Sequence, residues 1–253
     1  MNNTVFILSH QDDEFGVFES IHNSIQNKNN VYIFFMTNGV IGKSISKNMC
    51  SNRDLESLTV LKKLGIKKQN IIFFGRKNDI PTCFLYKNLD NAYKKLDQFL
   101  NKLNGNLTIF THAYEGGNED HDACNILILK LIRKNKKIKS AFQFPLYHAL
   151  SLFYYKVQSA LKINGKIIYV KSSFMRRIKF IIYLFNYKSQ LKVWVGLYPF
   201  LILNLLFRKY YILQNIRKDF IIKRPHHGKL LYEKFRNLNY SDLKLRFDKF
   251  LDN

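Results

Sequence analysis

Two periods of apolar and polar residues alternate along the first half of the chain. Residues 4–9, 31–36, 71–74 and 107–111 are short, nearly unbroken apolar runs of the kind that form strands buried on both faces. Longer segments lie between them. Residues 14–27 predict a helix. In 54–64, Leu55, Leu58, Leu61 and Leu64 recur at helical spacing, and Gly65 follows as a stop. Residues 89–103 place Leu89, Ala92, Tyr93, Leu96, Phe99, Leu100 and Leu103 on one stripe, and 122–133 predict a further helix. Strands alternating with helices need crossover connections, which predicts an α/β fold with a mostly parallel sheet. There is no internal repeat and no low-complexity linker.

Beyond residue 135 the periods blur. Residues 141–144 and 166–170 are candidate strands. Residues 174–187 and 193–207 are apolar and aromatic, flanked by Arg176, Arg177, Lys179, Lys188, Lys192, Arg208 and Lys209. The uncharged run 193–207 falls short of the roughly 20 residues a membrane span needs, so it predicts a buried or interfacial segment. The expected organisation is a core over 1–150, with 151–253 as a basic, aromatic-rich extension that completes the fold and forms a substrate- or membrane-facing surface.

With 253 residues, 47% apolar and 23% charged, the composition is that of a globular chain with a real core. Three scattered cysteines exclude a disulfide framework or a cysteine zinc site and predict a reducing compartment. The opening residues lack a secretory pattern. The expected location is therefore cytoplasmic, and peripheral at the inner face of the membrane if the basic half meets lipid. The net charge of +23 is uneven: residues 1–134 carry +4 and residues 135–253 carry +19, with no carboxylate side chain between Asp122 and Asp219. Such a half predicts an anionic partner: a membrane surface, a phosphorylated substrate or nucleic acid.

Two acid–histidine clusters hold the candidate chemistry. His10-Gln11-Asp12-Asp13-Glu14 follows the first strand, and the segment from His112 through Gly117-Asn118-Glu119-Asp120-His121-Asp122 follows the fourth. In parallel α/β sheets, ligands bind beyond the carboxyl ends of the strands. His10 and His121 offer imidazoles, and Asp12 and Asp13 offer carboxylates. Two histidines and one carboxylate suit a catalytic zinc with a position left for water. The remaining carboxylate can then accept that water's proton. Asp120 can orient a ligand histidine. Taken singly, each acidic cluster reads more readily as a helix cap, but two such clusters, each at a strand's carboxyl end, make that joint accident much less expected.

The ordered set of motifs resembles the PIG-L/LmbE family of zinc-dependent N-deacetylases. Ser9-His10-Gln11-Asp12-Asp13-Glu14 is similar to its Ala-His-Pro-Asp-Asp-Glu signature, and Thr37-Asn38-Gly39 to its Thr-x-Gly. Arg53-x-x-Glu56 with Leu64-Gly65 resembles its Arg-x-x-Glu helix, and Gly117-Asn118-Glu119-Asp120-His121 its Gly-His-Pro-Asp-His segment. Arg224-Pro225-His226-His227-Gly228 resembles some members less distinctly. The resemblance runs through residues 4–134. It implies a Rossmann-like three-layer fold and hydrolysis of the acetamide of an N-acetyl amino sugar conjugate. It implies zinc on His10, Asp13 and His121, with Asp12 as general base and Arg53 and Asp79 in the substrate pocket.

Asn118 stands where the family has a histidine that assists the oxyanion or protonates the leaving amine. Asn118 donates a hydrogen bond but is no acid near neutral pH. Its substitutes are His112, His148, His226 and His227, with His226 and His227 preferred and His148 read as an ordinary core histidine; alternatively Asp12 carries both proton transfers. Gln190, in the polar break between the two apolar stretches, is a candidate for the mouth of the site. The expected substrate is an acetamido sugar on an anionic carrier, a nucleotide or a lipid diphosphate, in a glycan or cell-surface polysaccharide pathway. A small glycoside thiol precursor fits the basic half less well. The rival readings are a degenerate, metal-binding relative and a basic nucleic-acid-binding protein. The second leaves His10 and His121 without a role and lacks any nucleic-acid-binding motif.

Overall fold

The strand–helix alternation is realised through the first half of the chain. It runs β1 (Asn3–Leu8), α1 (Phe18–Gln26), β2 (Asn30–Phe35), α2 (Lys47–Leu64), β3 (Ile71–Phe73), the single turn α3 (Phe74–Lys77), α4 (Leu89–Lys102), β4 (Leu107–His112), α5 (Glu119–Lys134) and β5 (Ile138–Phe144). Then come β6 (Tyr147–Ala149), β7 (Tyr155–Val157), β8 (Ile167–Lys171), α6 (Phe174–Leu184), α7 (Tyr198–Phe207), β9 (Tyr210–Asn215), α8 (Leu231–Phe235) and α9 (Tyr240–Asp252). This computed structural model describes residues 2–41, 47–149, 155–191 and 197–253.

The main sheet has the order β3-β2-β1-β4-β5-β9-β8. The pairs among β1 to β5 are parallel, and β9 joins β5 and β8 antiparallel. Strand order reverses beside β1, whose neighbours are β2 and β4. The crevice beyond the carboxyl ends of β1 and β4 is therefore the topological switch point where such sheets bind ligands.

Successive strand residues face opposite sides. Val5 and Ile7 enter one core, with Leu96 and Leu100 of α4, Leu127 and Leu131 of α5 and Phe247 of α9. Phe6 and Leu8 enter the other, with Phe18 and Ile21 of α1, Val60 and Leu61 of α2, Phe180 of α6 and Leu205 of α7. Helices thus cover both faces in a three-layer, Rossmann-like α/β sandwich, and the strands are apolar on both sides because both sides are buried. Phe6, Phe110 and Phe142 stack across β1, β4 and β5 at centroid distances of 4.8 and 5.1 Å.

Several boundaries differ from the sequence expectation. The expected helix over 14–27 is a 3-10 turn (Asp13–Val17) followed by α1, because Asp12 adopts a left-handed φ of 111° and Val17 a non-helical one. α5 starts at Glu119, not 122, because the Asn118 side chain caps it by accepting from the Asp120 amide at 2.8 Å. In α2 the expected apolar stripe is rotated. Leu55 is 58% exposed, and the buried face carries Arg53, Asp54, Ser57, Val60 and Leu61. Of the run 193–207, residues 193–196 lie outside the described residues, and α7 occupies 198–207. α9, whose Leu243, Phe247 and Phe250 pack on α5 with helical spacing, was not anticipated. Among the described residues, no helix is long and apolar enough to cross a membrane.

Candidate metal and active site

The ends of β1, β2 and β4 are tied together before either cluster begins. The Thr111 hydroxyl donates to the Ile7 carbonyl at 2.9 Å, and the Thr37 hydroxyl donates to the Ser9 carbonyl at 2.9 Å. β1 then breaks into a tight turn. The His10 amide donates to Asp13 Oδ2 at 2.6 Å and the Asp12 amide to Glu14 Oε2 at 2.9 Å, so two acidic side chains fold back on their own turn. A non-glycine residue at φ 111° costs on the order of 1–3 kcal/mol and persists only where its surroundings over-determine it. Arg53 does so here. Its guanidinium donates to Asp12 Oδ1 at 3.1 Å and to the carbonyls of Gln11 and Gly39, joining the β1 and β2 turns from behind.

The second cluster is built from the loop after β4. Asp122 Oδ1 accepts from the Glu115 and Gly116 amides at 2.9 and 3.2 Å. Glu115 Oε1 accepts from the Leu146 and Tyr147 amides at 2.8 and 3.0 Å. A Cβ on Gly117 would lie 1.9 Å from the Tyr147 carbonyl oxygen, so only glycine admits this approach. The loop delivers Asn118 to cap α5 and His121 to its first turn, 110 residues from the β1 turn.

His10, Asp13 and His121 meet there, with donor atoms all within 4.8 Å of one another, and all three are buried. His10 Nδ1 lies 3.3 Å from Asp13 Oδ2, and His121 Nε2 lies 3.4 Å from Asp13 Oδ1. Ligands about 2.1 Å from a tetrahedral ion stand about 3.4 Å apart, which these pairs match. His10 Nε2 faces Asp120 Oδ2 at 3.1 Å. That contact assigns the proton to Nε2 and turns the Nδ1 lone pair toward Asp13. Asp120 is fixed in turn, its oxygens accepting the Cys83 and Leu85 amides at 2.5 and 3.0 Å. Both ring nitrogens of buried His121 lack a hydrogen-bond partner. A buried imidazole with neither nitrogen satisfied is costly, and a cation among the three residues would satisfy Nε2, the nitrogen that faces Asp13. The residues present therefore fit a divalent metal.

His112 also touches this cluster. Its ring stacks on His121 at 4.0 Å, and its Nε2 lies 3.2 Å from Asp13 Oδ2. Because Nε2 accepts the Ser9 amide at 3.0 Å, its lone pair is engaged, and His112 is a packed neighbour of the triangle. Burial, with His121 beside it, lowers its pKa to about 3. Burial would also lower that of His10, but Asp13 and Asp120 hold it up to about 10, so a metal binding at Nδ1 would displace the proton there while Nε2 keeps its own. For Asp13, the neighbouring His121, His112 and His10 outweigh burial and keep the carboxyl well below its usual range. Burial pushes Asp12 up to about 7 against the pull of Arg53.

The other residues singled out in the sequence are placed as follows. Arg53 stands behind Asp12. Gln190 is buried, and its amide donates to Ser189 Oγ at 3.1 Å, while Ser189 binds Glu56 of α2. Asp79 is exposed, at φ 50°, and among the described residues it makes no hydrogen bond. His226 packs at 5.6 Å against buried His148, which bonds the Ser159 carbonyl at 3.1 Å, and His227 is exposed; neither contacts the triangle. Two tyrosines were missed. The Tyr147 ring lies 5.4 Å from His121, with its hydroxyl toward Asn118. The buried Tyr187 hydroxyl faces Glu14. No spacing rule marks a lone tyrosine, and only proximity to a folded site reveals either.

Residues 5–132 match the family model described as PIG-L, GlcNAc-PI de-N-acetylase. The chain belongs to the PIG-L family. Solved structures share this architecture at low identity. A deacetylase of the teicoplanin biosynthesis pathway superposes with a TM-score of 0.65 at 14% identity, covering 87% of this chain and 99% of that one. The N,N'-diacetylchitobiose deacetylase from Pyrococcus horikoshii gives 0.59 at 17%, covering 85% and 83%. A conserved protein from Thermus thermophilus gives 0.56 at 17%, covering 90% and all of that chain. A search of curated protein sequences returned no match. The PIG-L model ends inside α5, so the basic half falls outside it.

Proposed function

We propose that this PIG-L protein is a zinc-dependent N-deacetylase that hydrolyses the acetamide of an N-acetyl amino sugar on an anionic carrier. The observation that carries this reading is the buried His10–Asp13–His121 triangle at the switch point, with Asp12 clamped beside it by Arg53. His10, Asp13 and His121 would hold the metal, which when bound supplies a Lewis acid that polarises the amide carbonyl and lowers the pKa of a water. Asp12 accepts the proton of the attacking water and returns it to the leaving amine nitrogen, so one carboxylate serves both transfers. The strained Asp12 backbone and the Arg53 clamp fix that carboxylate before substrate arrives.

Asp120 acts through His10 by holding its tautomer. Asn118, with its carbonyl committed to the α5 cap, keeps its amide N–H to donate to the developing oxyanion. Tyr147, alongside it, is kept as a neutral phenol because burial holds its pKa well above the ordinary value, and it is a second donor. Arg53 acts as a positioning residue for Asp12, and Gln190 packs the wall over α2. Substrate contacts by Asp79, His226 and His227 would fall at the rim. Residues 151–253 supply the carrier-facing side of the molecule.

The absence of an acidic histidine at Asn118 favours one second reading, a metal-binding relative without turnover. Acetate release separates the two. With a panel of N-acetylated sugar nucleotides and lipid-linked sugars, the enzyme reading requires release from at least one class, abolished by a chelator. Metal binding without release from either class would support the degenerate reading.

A further inference from the structure

The strongest feature outside the site is the pair α6–α7. The two helices run antiparallel. At one end the Arg177 guanidinium donates to the Leu205, Leu206 and Arg208 carbonyls at 2.9–3.2 Å. At the other, the Tyr198 hydroxyl donates to the Leu184 carbonyl at 2.7 Å, and Phe185 packs on Tyr198 at 5.7 Å. The inner faces, with Phe180, Leu184, Leu201 and Leu205, are spent in the core. The outer faces are apolar as well. On α6 they expose Met175 and Ile182, with Phe185 just past its end, and on α7 Phe200, Leu203 and Phe207, the last at 76%. α7 contains no charged residue, so its outer side has nothing to keep it in water.

The antiparallel edge strands β8 and β9, which flank the two helices in sequence, continue this surface. Tyr169 and Tyr210 pack at 5.6 Å and line, with Phe207, an open groove of about 530 Å³. Exposed Lys171, Lys179, Lys188 and Lys209 border the apolar face; the sequence has no carboxylate side chain between Asp122 and Asp219, and of the acids that reach this side from other elements Glu19 pairs with Arg176 and Glu56 bonds Ser189. The two arginines expected beside this apolar stretch are already engaged. Arg177 is buried as the α7 cap, and Arg176 pairs with Glu19 at 2.9 Å, so neither is free to meet phosphate; Lys192 lies outside the described residues.

We propose that the outer face of α6 and α7 docks on an anionic bilayer, with its aromatic and aliphatic side chains in the headgroup boundary and the four lysines on lipid phosphates. The charge pattern favours lipid over a protein partner. A shallow apolar face edged by exposed lysines, with tyrosines at its margin, is the composition of an interfacial anchor. The helix pair is also tied to the β1 turn, because Tyr187, three residues beyond the end of α6, turns its buried hydroxyl toward Glu14. Docking would hold the β1 turn near a surface that carries lipid-linked substrates. That last step rests on the deacetylase reading, whereas the docking does not.

The test is co-sedimentation of the full chain with vesicles of phosphatidylcholine alone and of an equimolar phosphatidylglycerol–phosphatidylcholine mixture. Binding to the mixture only, weakening as salt is raised, is expected. Lys179→Gln and Lys209→Gln should each lower the partition about fivefold, the equivalent of about 1 kcal/mol per charge. Leu203→Gln with Phe207→Gln should abolish binding, and because both side chains are exposed, their unfolding midpoint should stay at the wild-type value. Asp12→Asn should bind vesicles like wild type whether or not the chain is a deacetylase. Binding to neither vesicle, equal binding to both, or no response to these substitutions would overturn the proposal. So would a dimer in sedimentation velocity that Leu203→Gln and Phe207→Gln dissociate.

Discussion

Replacing Asp120 by asparagine probes how the site holds its metal without touching a ligand. Asp120 Oδ2 accepts from both His10 Nε2 and the Cys83 amide, while Oδ1 accepts from the Leu85 amide at 3.0 Å. An asparagine has one acceptor oxygen. If that oxygen keeps Leu85, the new NH2 points at two donors. If the amide flips, it faces the Leu85 N–H instead. The first arrangement forces the His10 proton from Nε2 to Nδ1, the nitrogen 3.3 Å from Asp13, and removes the lone pair a metal would use. Losing such an orienting carboxylate typically lowers metal affinity 10–100-fold, and leaving one buried donor unsatisfied costs about 1–3 kcal/mol. Zinc titration of the stripped protein against a competing chelator measures the first effect, and urea unfolding of the metal-free protein the second. Asp120→Asn should weaken zinc binding 10–100-fold and lower apo stability by about 1–3 kcal/mol. Zinc affinity within twofold of wild type would refute the role of Asp120 in holding His10 for the metal.

Three further outcomes follow from the same contacts. Asp12→Asn should retain metal and Arg53 packing but lose about 10²–10⁴-fold in turnover, since an amide cannot accept the water's proton; activity within a few-fold of wild type removes Asp12 from the mechanism. Gly117→Ala places a methyl group against the Tyr147 carbonyl, so acetate release should fall sharply while the secondary structure, read by circular dichroism, persists. Burial, with His226 nearby, lowers the His148 pKa to about 4. Between that value and the unfolded 6.5, only the unfolded chain takes up the proton. Stability is thus complete above pH 6.5 and falls on acidification, by about 2 kcal/mol between pH 6.5 and 5 from this residue. In His148→Gln, urea unfolding should show a pH dependence smaller by that amount, and an unchanged slope would remove His148 from the account.

The parallel core was legible because strands buried on both faces read as continuous apolar runs, and β1, β2, β3 and β4 fell on them. Helix faces were legible only where the buried side is apolar. α4 met its expected stripe, whereas α2 turned Leu55 outward because Arg53, Asp54 and Ser57 are needed inward. The metal triangle could be inferred from chain order, since β1 and β4 end side by side at the switch point. The hydrogen bonds that hold it could not. Asp122 and Glu115 support backbone amides of a loop and of β6, contacts that leave no periodicity in sequence. His112 was weighed as one of four substitutes for a missing acid, and only folding brings it against His121 while placing His226 and His227 elsewhere. In the basic half the lysine count was plain, but which arginines are free was not. Arg177 serves a helix end and Arg176 a buried glutamate, roles that depend on partners distant in sequence.

The most direct test of the central claim is acetate release by chelator-stripped protein as zinc is added back. The account predicts no release without metal and a return of activity that is complete at one equivalent per chain. In His121→Ala, the same addition should restore neither binding nor release. Acetate release that persists in the stripped protein, or that returns equally in His121→Ala, would contradict it.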